Sequence, residues 1–414
     1  MNTGDMAFVL IASALVFFMT PGLAFFYGGM VRRKNVLNTM MSSFFIMGVA
    51  SVLWVVVGYS LSFAGNTGGF IGTLKWIGLH GVAIDVAGPY SSTISNMAFA
   101  MFQMMFAIIT PALITGSVAE RMNFKALFGF IILWSLLVYY PLAHMVWGEG
   151  GFLGTVIGSV DFAGGNVVHI SSGVSGLVLS IILGKRKGYS IASYRTHNVP
   201  FIILGASILW FGWFGFNAGS ALGANGLAVH AFMTTNTSTA CAMLSWMLVD
   251  IIKQGKPTVV GAATGAVLGL VAITPAAGFV PIWASLIIGA LVSPICYFSM
   301  SVIKKKFGYD DALDAFGCHG IGGMWGGIAT GLFTNTSINS FAKWDGLVYG
   351  NYHLFVAQVL SILITIAVAV VGTIICATVV KLFTPLRVSE ADEKVGLDIT
   401  LHGENAYPAF NGLD

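Results

Sequence analysis

Charge is what this sequence has least of. Of its 414 residues only 8% are Asp, Glu, Lys or Arg, where a soluble domain carries about 25%. The net charge of +3 is too small to imply nucleic acid as a partner. Cysteine is scarce too. Cys241, Cys296, Cys318 and Cys376 all sit inside apolar segments, and none has CxxC or zinc-ligand spacing, so they read as small core residues. A phosphate-binding loop is excluded as well. The glycine-rich "GCHGIGGMWGG" at 317–327 has no strand-then-helix context around it and reads as a packed membrane helix.

What fills the space is hydrocarbon. Hydrophobic residues make 57% of the chain and the mean hydropathy is +0.86. Apolar stretches of about 20 residues recur along it, the length that crosses a bilayer as a helix. The expected fold is an all-α polytopic membrane protein with eleven spans: 6–30, 39–63, 97–118, 124–142, 163–184, 198–218, 228–252, 258–276, 281–303, 314–334 and 352–382. The last would be about 46 Å long and should tilt or protrude. The first span is too long for a cleavable signal peptide, and Arg32, Arg33 and Lys34 follow it.

The basic residues are placed unevenly. On this map one side receives seventeen: Arg32, Arg33, Lys34, Arg121, Lys125, Lys185, Arg186, Lys187, Arg195, Lys253, Lys256, Lys304, Lys305, Lys306, Lys381, Arg387 and Lys394. The other receives only Lys75 and Lys343. By the positive-inside rule the richer side is cytoplasmic, with the N-terminus outside and the C-terminus inside. That orientation requires an odd number of spans, in agreement with eleven.

Glycine is abundant, with 52 in the chain. Several recur at every fourth position, as in Gly261, Gly265 and Gly269, or Gly323, Gly327 and Gly331. Small residues at that spacing let helices approach closely in lipid. Tight packing is the simplest reading of most of them.

Two histidines stand inside apolar spans: His169 in "DFAGGNVVHISSGVSG" and His319 in "DAFGCHGIGGMWGG". Each has an acid upstream, Asp161 and Asp314, and small residues downstream. Two halves of five spans each would run in opposite directions, the arrangement of inverted-repeat transporters with a site near the midplane. The repeats are expected at about 6–184 and 198–334, followed by the final helix 352–382. A lone buried histidine is often just hydrogen-bonded to a neighbouring helix. Two at matching places favour a role, because ionisable groups in lipid are costly. A facing pair could form a polar thread, whereas a metal site would lack a third ligand. No cofactor is expected.

Three aromatic clusters are interrupted by polar groups: "FQMMFAIIT" (102–110), "AHMVWGEGG" (143–151) and "WFGWFGFNAGS" (210–220). The second and third fall at outer span ends. A tryptophan face there would attract a small cation, with a serine hydroxyl to accept one of its N–H groups. Deeper phenylalanines would block water and hydrated ions.

At these residues the chain resembles the ammonium transporter family (Amt/Mep/Rh), and its bacterial Amt branch more than the Rh branch. The resemblance is carried by "DFAGGNVVHISSGVSGLVLSIILGKRKG", "MFQMMFAIITPALITGSVAERMNF", "PLAHMVWG", "GWFGFNAGSA", "DDALDAFGCHGIGGMWGGIATGLF" and "LRVSEADEKVGLDITLHGENAYP". It implies an external recruitment site for ammonium at Trp147, Ser220 and Phe106. It implies stacked gate rings at Phe106 and Phe216, and a twin-histidine pair at His169 and His319 in a pore for ammonia. Trp213 would line the pore wall. Asp161 would shape the local backbone, which capping the start of a span would also explain. The resemblance further implies a homotrimer with one pore per subunit in the cytoplasmic membrane. Residues 1–383 would form the transport domain and 384–414 a cytoplasmic tail, with a PII-type nitrogen-signalling protein as a partner at that face. The rivals are a sensor of the same fold, which an appended signalling domain would mark, and an enzyme, for which no convincing nucleophile is present.

Overall fold

Unmet backbone N–H groups are expensive in a bilayer, so a chain this apolar must close its hydrogen bonds within helices. The structure, a computed structural model, describes residues 1–189 and 196–407. Arg195 and residues 408–414 of the expected tail lie outside the described residues. Helices dominate the rest. In chain order they are α1 (Thr3–Met30), α2 (Arg33–Phe63), α3 (Asn96–Val118), α4 (Phe124–Ile157), α5 (Gly165–Leu183) and α6 (Val199–Gly219). There follow α7 (Gly226–Gln254), α8 (Val259–Ile273), α9 (Ile282–Phe307), α10 (316–333), α11 (His353–Lys381) and the short α12 (Glu390–Val395).

Eight of these are long and apolar enough to cross a membrane: α1 to α6, α9 and α11. The chain is therefore a multi-pass membrane protein. The three other expected spans fall on α7, α8 and α10. Of these, α8 is an apolar helix of 15 residues, and α7 carries hydroxyls at Thr234, Thr235, Thr237, Ser238 and Thr239 that lower its hydropathy. The fourth expected span, 124–142, ends too early. Its helix runs on to Trp147 before the chain turns at Gly148 and resumes a helical path over Phe152–Ile157. A two-stranded ribbon, β1 (Ala87–Gly88) with β2 (Ser91–Ser95), lies in the loop before α3.

Polar residues at helix starts supply the acceptors that a helix lacks. Asn2 accepts from the Gly4 and Asp5 N–H groups (2.8 and 3.1 Å), Ser95 from Ala98 (3.2 Å), Asn198 from Phe201 (3.0 Å) and Thr258 from Gly261 (2.9 Å). The every-fourth glycines of α8 meet α7 directly. A Cβ on Gly265 would lie 2.9 Å from the Ala242 carbonyl, and one on Gly269 would lie 2.6 Å from Thr239 Cα. Close backbone approach is what holds helices together where lipid removes the hydrophobic drive.

The basic side is closed by buried ion pairs. Arg186, just past the end of α5, holds Asp310 through Nη2 (2.8 Å) and Nε (2.9 Å) and reaches Glu120 through Nη1 (3.1 Å). Arg32 holds the other face of Glu120 (2.9 Å), and the fully buried Arg121 donates to the Asp310 carbonyl at 2.5 Å. Glu120 sits at φ 69°, a left-handed conformation that a glutamate keeps only when its surroundings fix it.

The tail docks on this layer. Glu393 accepts from the Lys187 N–H (2.6 Å) and from Arg387 (2.7 Å), while Asp398 accepts from the Asn38 N–H in the first turns of α2 (2.8 Å). The expected polar tail is thus ordered over much of its length, with Glu393 and Asp398 buried.

Burial alone would raise the Glu120 and Asp310 carboxyls, but the guanidinium groups outweigh it and hold both below their ordinary values of 4.5 and 3.8. A depressed carboxylate contributes stability that is complete above its ordinary value and is lost as pH falls through the folded one. Thermal unfolding in detergent should therefore be flat near neutral pH and weaken as pH falls below those values. Arg186→Ala should cost about 3–5 kcal/mol and shift the acid loss to higher pH. An Arg186→Ala protein with wild-type stability at neutral pH would contradict this role.

Candidate functional site

The site begins with a carboxylate that has too many donors to leave. Asp161 precedes α5, and its Oδ1 accepts from the Gly164 and Gly165 N–H groups (2.7 and 2.6 Å). Its Oδ2 accepts from Asn166 (2.7 Å) and, more weakly, from Val167 (3.5 Å). These are the orphan donors of a helix start, where a negative charge also meets the positive end of the dipole. Gly164 bends the chain at φ 123°, where a side chain would be strained. The helix then opens with a π-helical turn, Gly165–Ile170, that carries His169.

α10 repeats this construction. It opens with a π-helical turn, Phe316–Ile321, carrying His319. The capping acid is Asp311, which accepts from the Ala315 and Phe316 N–H groups (3.2 and 2.8 Å). This corrects the expected match of Asp161 with Asp314. Asp314 instead pairs with Lys304 (2.7 Å) and adopts φ 56°. Spacing was the signal that could have found it, since Asp161 and Asp311 each stand eight residues before their histidine.

The two helices meet through glycines four residues after each histidine. A Cβ on Gly173 would lie 2.6 Å from Gly320 Cα, and one on Gly323 would lie 3.0 Å from His169 Cβ. That contact brings the rings of His169 and His319 to 5.3 Å between centroids, 16° from parallel, with Nδ1 facing Nδ1 at 3.3 Å. Between two neutral imidazoles a hydrogen bond at that contact requires one Nδ1 to carry a hydrogen and the other a lone pair, which leaves one ring with an N–H and the other with a lone pair at Nε2. His169 Nε2 is buried and has no partner.

Aromatic rings stand over the pair. Trp213 stacks on His169 at 5.4 Å, its indole N–H donating to the Thr274 hydroxyl at 2.9 Å. Thr274 was not anticipated from sequence. Phe216 lies 6.1 Å from His169, and Phe106 lies 4.4 Å from Phe216. Trp147 then meets Phe106 edge-on at 6.0 Å and donates its N–H to the Asp161 carbonyl at 2.9 Å. The Ser220 hydroxyl donates to the Phe216 carbonyl at 2.8 Å, which leaves its lone pairs as acceptors.

Cavities lie on either side of this stack. The one away from the basic side, about 320 Å³, is lined by Phe106, Trp147, Asp161 and Ser220 among others. A constricted one of about 10 Å³ lies among Phe216, Trp213, His169 and His319, room for about one water-sized molecule. A third, about 340 Å³, opens beyond His319 on the basic side, with Asp250 and Asp314 in its wall. The structure therefore brings all eight singled-out residues, Trp147, Ser220, Phe106, Phe216, His169, His319, Asp161 and Trp213, into one contiguous set. Gly173→Ala should drive α5 and α10 apart and break it. The measurement is substrate flux through protein that still folds, with near-complete loss expected. Wild-type flux would show that the close crossing is dispensable.

The chain is similar to known proteins over nearly its whole length. The model of the Ammonium Transporter Family matches residues 7–407. An ammonium transporter of Bacillus subtilis is 54% identical over 408 residues, covering 98% of this chain and 99% of its own. Ammonium transporter Amt1 of Archaeoglobus fulgidus is 44% identical, over 98% of this chain and all of its own. Among solved structures, Saccharomyces cerevisiae Mep2 aligns with TM-score 0.84 at 37% identity, over 91% of this chain and 85% of its own. A structure described as a sensor Amt protein aligns with TM-score 0.88 at 25% identity, over 97% and 98%. With the family model spanning almost all of its length and relatives this similar from end to end, the chain belongs to the ammonium transporter family.

Proposed function

We propose that this protein carries ammonium nitrogen across the cytoplasmic membrane by recruiting ammonium, removing one proton, and passing ammonia through a narrow apolar pore. It is a transporter and not an enzyme, as its family relatives are. The observation that carries the finer reading is the histidine pair at 3.3 Å, enclosed beneath two phenylalanine rings between an outer and an inner cavity.

Recruitment rests on Trp147 and Phe106, whose rings attract a cation, and on Ser220, whose hydroxyl accepts an N–H. Potassium matches ammonium in charge and nearly in size, so charge cannot separate them. Ammonium differs in offering directional N–H donors and in being able to lose a proton. An intact ion meets a dry barrier at Phe106 and Phe216, because moving a charge into that space without partners costs more than moving a neutral molecule. Ammonia beyond the gate donates to, or accepts from, the Nε2 atoms of His169 and His319, with Trp213 closing the wall. Asp161 shapes the mouth by fixing the backbone that receives the Trp147 N–H. The proton removed before the gate goes either to water in the outer cavity or along the hydrogen-bonded histidine pair. On the inner side ammonia takes up a proton from water in the first case and from that relay in the second, so only the second moves net charge.

The proposed topology is eleven spans in two inverted repeats, about 6–184 and 198–334, with the final helix 352–382 completing the 1–383 transport domain. The basic side faces the cytoplasm, which leaves the N-terminus outside and the 384–414 tail inside. The repeat is supported by the matching Asp161–His169 and Asp311–His319 constructions. Three identical subunits, each with its own pore, and a PII-type protein at the cytoplasmic face complete the proposal. Likeness to a sensor Amt protein keeps one second reading, in which the same site binds ammonium and the tail reports it.

The test is current from proteoliposomes after an ammonium jump, with potassium as control and a pH dye inside. A saturable current with ammonium alone indicates movement of charge, and an internal pH rise without current indicates neutral ammonia. Neither signal, from folded protein, would defeat transport in favour of sensing.

A further inference from the structure

Gln358 lies in the second turn of α11 and is only 1% exposed. An amide buried on an apolar helix is costly unless its polar atoms are met. Here both are met by one residue. The Val160 N–H donates to Gln358 Oε1 at 2.8 Å, and Gln358 Nε2 donates back to the Val160 carbonyl at 2.9 Å. A longer contact from Nε2 reaches the Gly327 carbonyl of α10 at 3.4 Å. The side chain thus pairs with Val160 much as a residue of a neighbouring strand would. Val160 leads directly into Asp161, whose carbonyl receives the Trp147 N–H at 2.9 Å. The other end of that peptide unit, the Phe162 N–H, donates to the Pro275 carbonyl at 3.1 Å. The loop is therefore pinned on both sides of the one carbonyl that Trp147 uses, and on the Val160 side the pin is a side chain.

We propose that Gln358 is a positioning residue for the substrate, which sets the angle of the Trp147 indole in the outer cavity by holding the backbone at Val160 and Asp161. The inference rests on the recruitment reading above and adds a residue to it. A cation is drawn to the face of an indole and not to its edge, so a tilted ring weakens the site while every group stays present. The indole has a single N–H, and its bond to the Asp161 carbonyl fixes how the ring lies. Peptide units are rigid planes, so holding the Val160 carbonyl holds the plane that enters Asp161. Without the amide, the buried N–H and carbonyl of Val160 lose their partners, and the loop shifts to find others. The Asp161 carbonyl shifts with it, and the indole follows. Phe216, His169 and His319 take no part in this chain of bonds, so passage beyond the gate is unaffected.

The experiment follows the ammonium signal, current or internal pH, against concentration in proteoliposomes of wild type, Gln358→Met, Trp147→Leu and the double variant. Methionine fills the space of glutamine without its hydrogen bonds. Spoiling a well-aimed cation–π contact should raise the apparent KM of Gln358→Met about fivefold, with the maximal rate unchanged. Trp147→Leu should raise it at least as much. The double variant should match Trp147→Leu alone, because Gln358 acts only through that ring, a result that a merely structural role would not produce. Should Gln358→Met fail to fold, Gln358→Glu, which keeps the oxygen that accepts from Val160, carries the same comparison with a smaller shift. A folded Gln358 variant with wild-type KM, beside a Trp147→Leu protein with a raised one, overturns the role of Gln358 alone. So does a double variant in which the two effects multiply. A Trp147→Leu protein with wild-type KM defeats the recruitment reading, and this inference with it.

Discussion

Two helices must cross with their backbones nearly touching before anything else at this site can exist. Lipid supplies no hydrophobic force between them, so the contact depends on shape. Gly173 and Gly323 remove the Cβ atoms that would keep α5 and α10 apart, and each stands four residues after a histidine. The crossing therefore fixes the spacing of His169 and His319, and through it the stack of Trp213, Phe216 and Phe106 above them. Both helices start with buried backbone N–H groups. Asp161 and Asp311 provide the acceptors that those starts require, which explains two carboxylates that are themselves buried.

The same crossing is held from its far end by charge. Arg186 follows α5, and Asp310 stands next to the capping Asp311 of α10, so their ion pair ties the exit of one helix to the entrance of the other. Glu120, Arg121 and Arg32 extend that tie to the loops after α1 and α3, and the tail lies across it through Glu393 and Asp398. Anything that moves the tail thereby pulls on the layer that positions α5 and α10. Between the two cavities the space narrows to about 10 Å³ among aromatic and imidazole rings. That combination favours a neutral, water-sized molecule with hydrogen-bonding ability over any hydrated ion.

Much of this was legible in the sequence because it is written locally. Apolar length marks the spans, the placement of lysine and arginine separates the two sides, and a histidine inside an apolar run is conspicuous at once. The interrupted aromatic clusters marked three stretches, and the eight site residues within and beside them could be named because the motifs around them resemble those of a known family. What the sequence hid depends on contacts between distant segments. Asp311 rather than Asp314 caps α10, which neighbours in the chain cannot decide. The Trp147 N–H turns to the Asp161 carbonyl, and Asp398 reaches Asn38 across most of the chain. The fourth span ran past its expected end because "PLAHMVW" is less apolar than lipid demands, yet its His144 is buried against Ser62 and Asn66.

The central claim is that the histidine pair lies on the path of the transported molecule. It is tested most directly by following current and internal pH after ammonium and potassium jumps in proteoliposomes of wild type, His169→Ala and His319→Ala, with folding checked by thermal unfolding. The account predicts that each variant loses the wild-type ammonium signal, whether current or pH rise, or ceases to exclude potassium. Folded variants that both keep the wild-type ammonium signal and still reject potassium would contradict it.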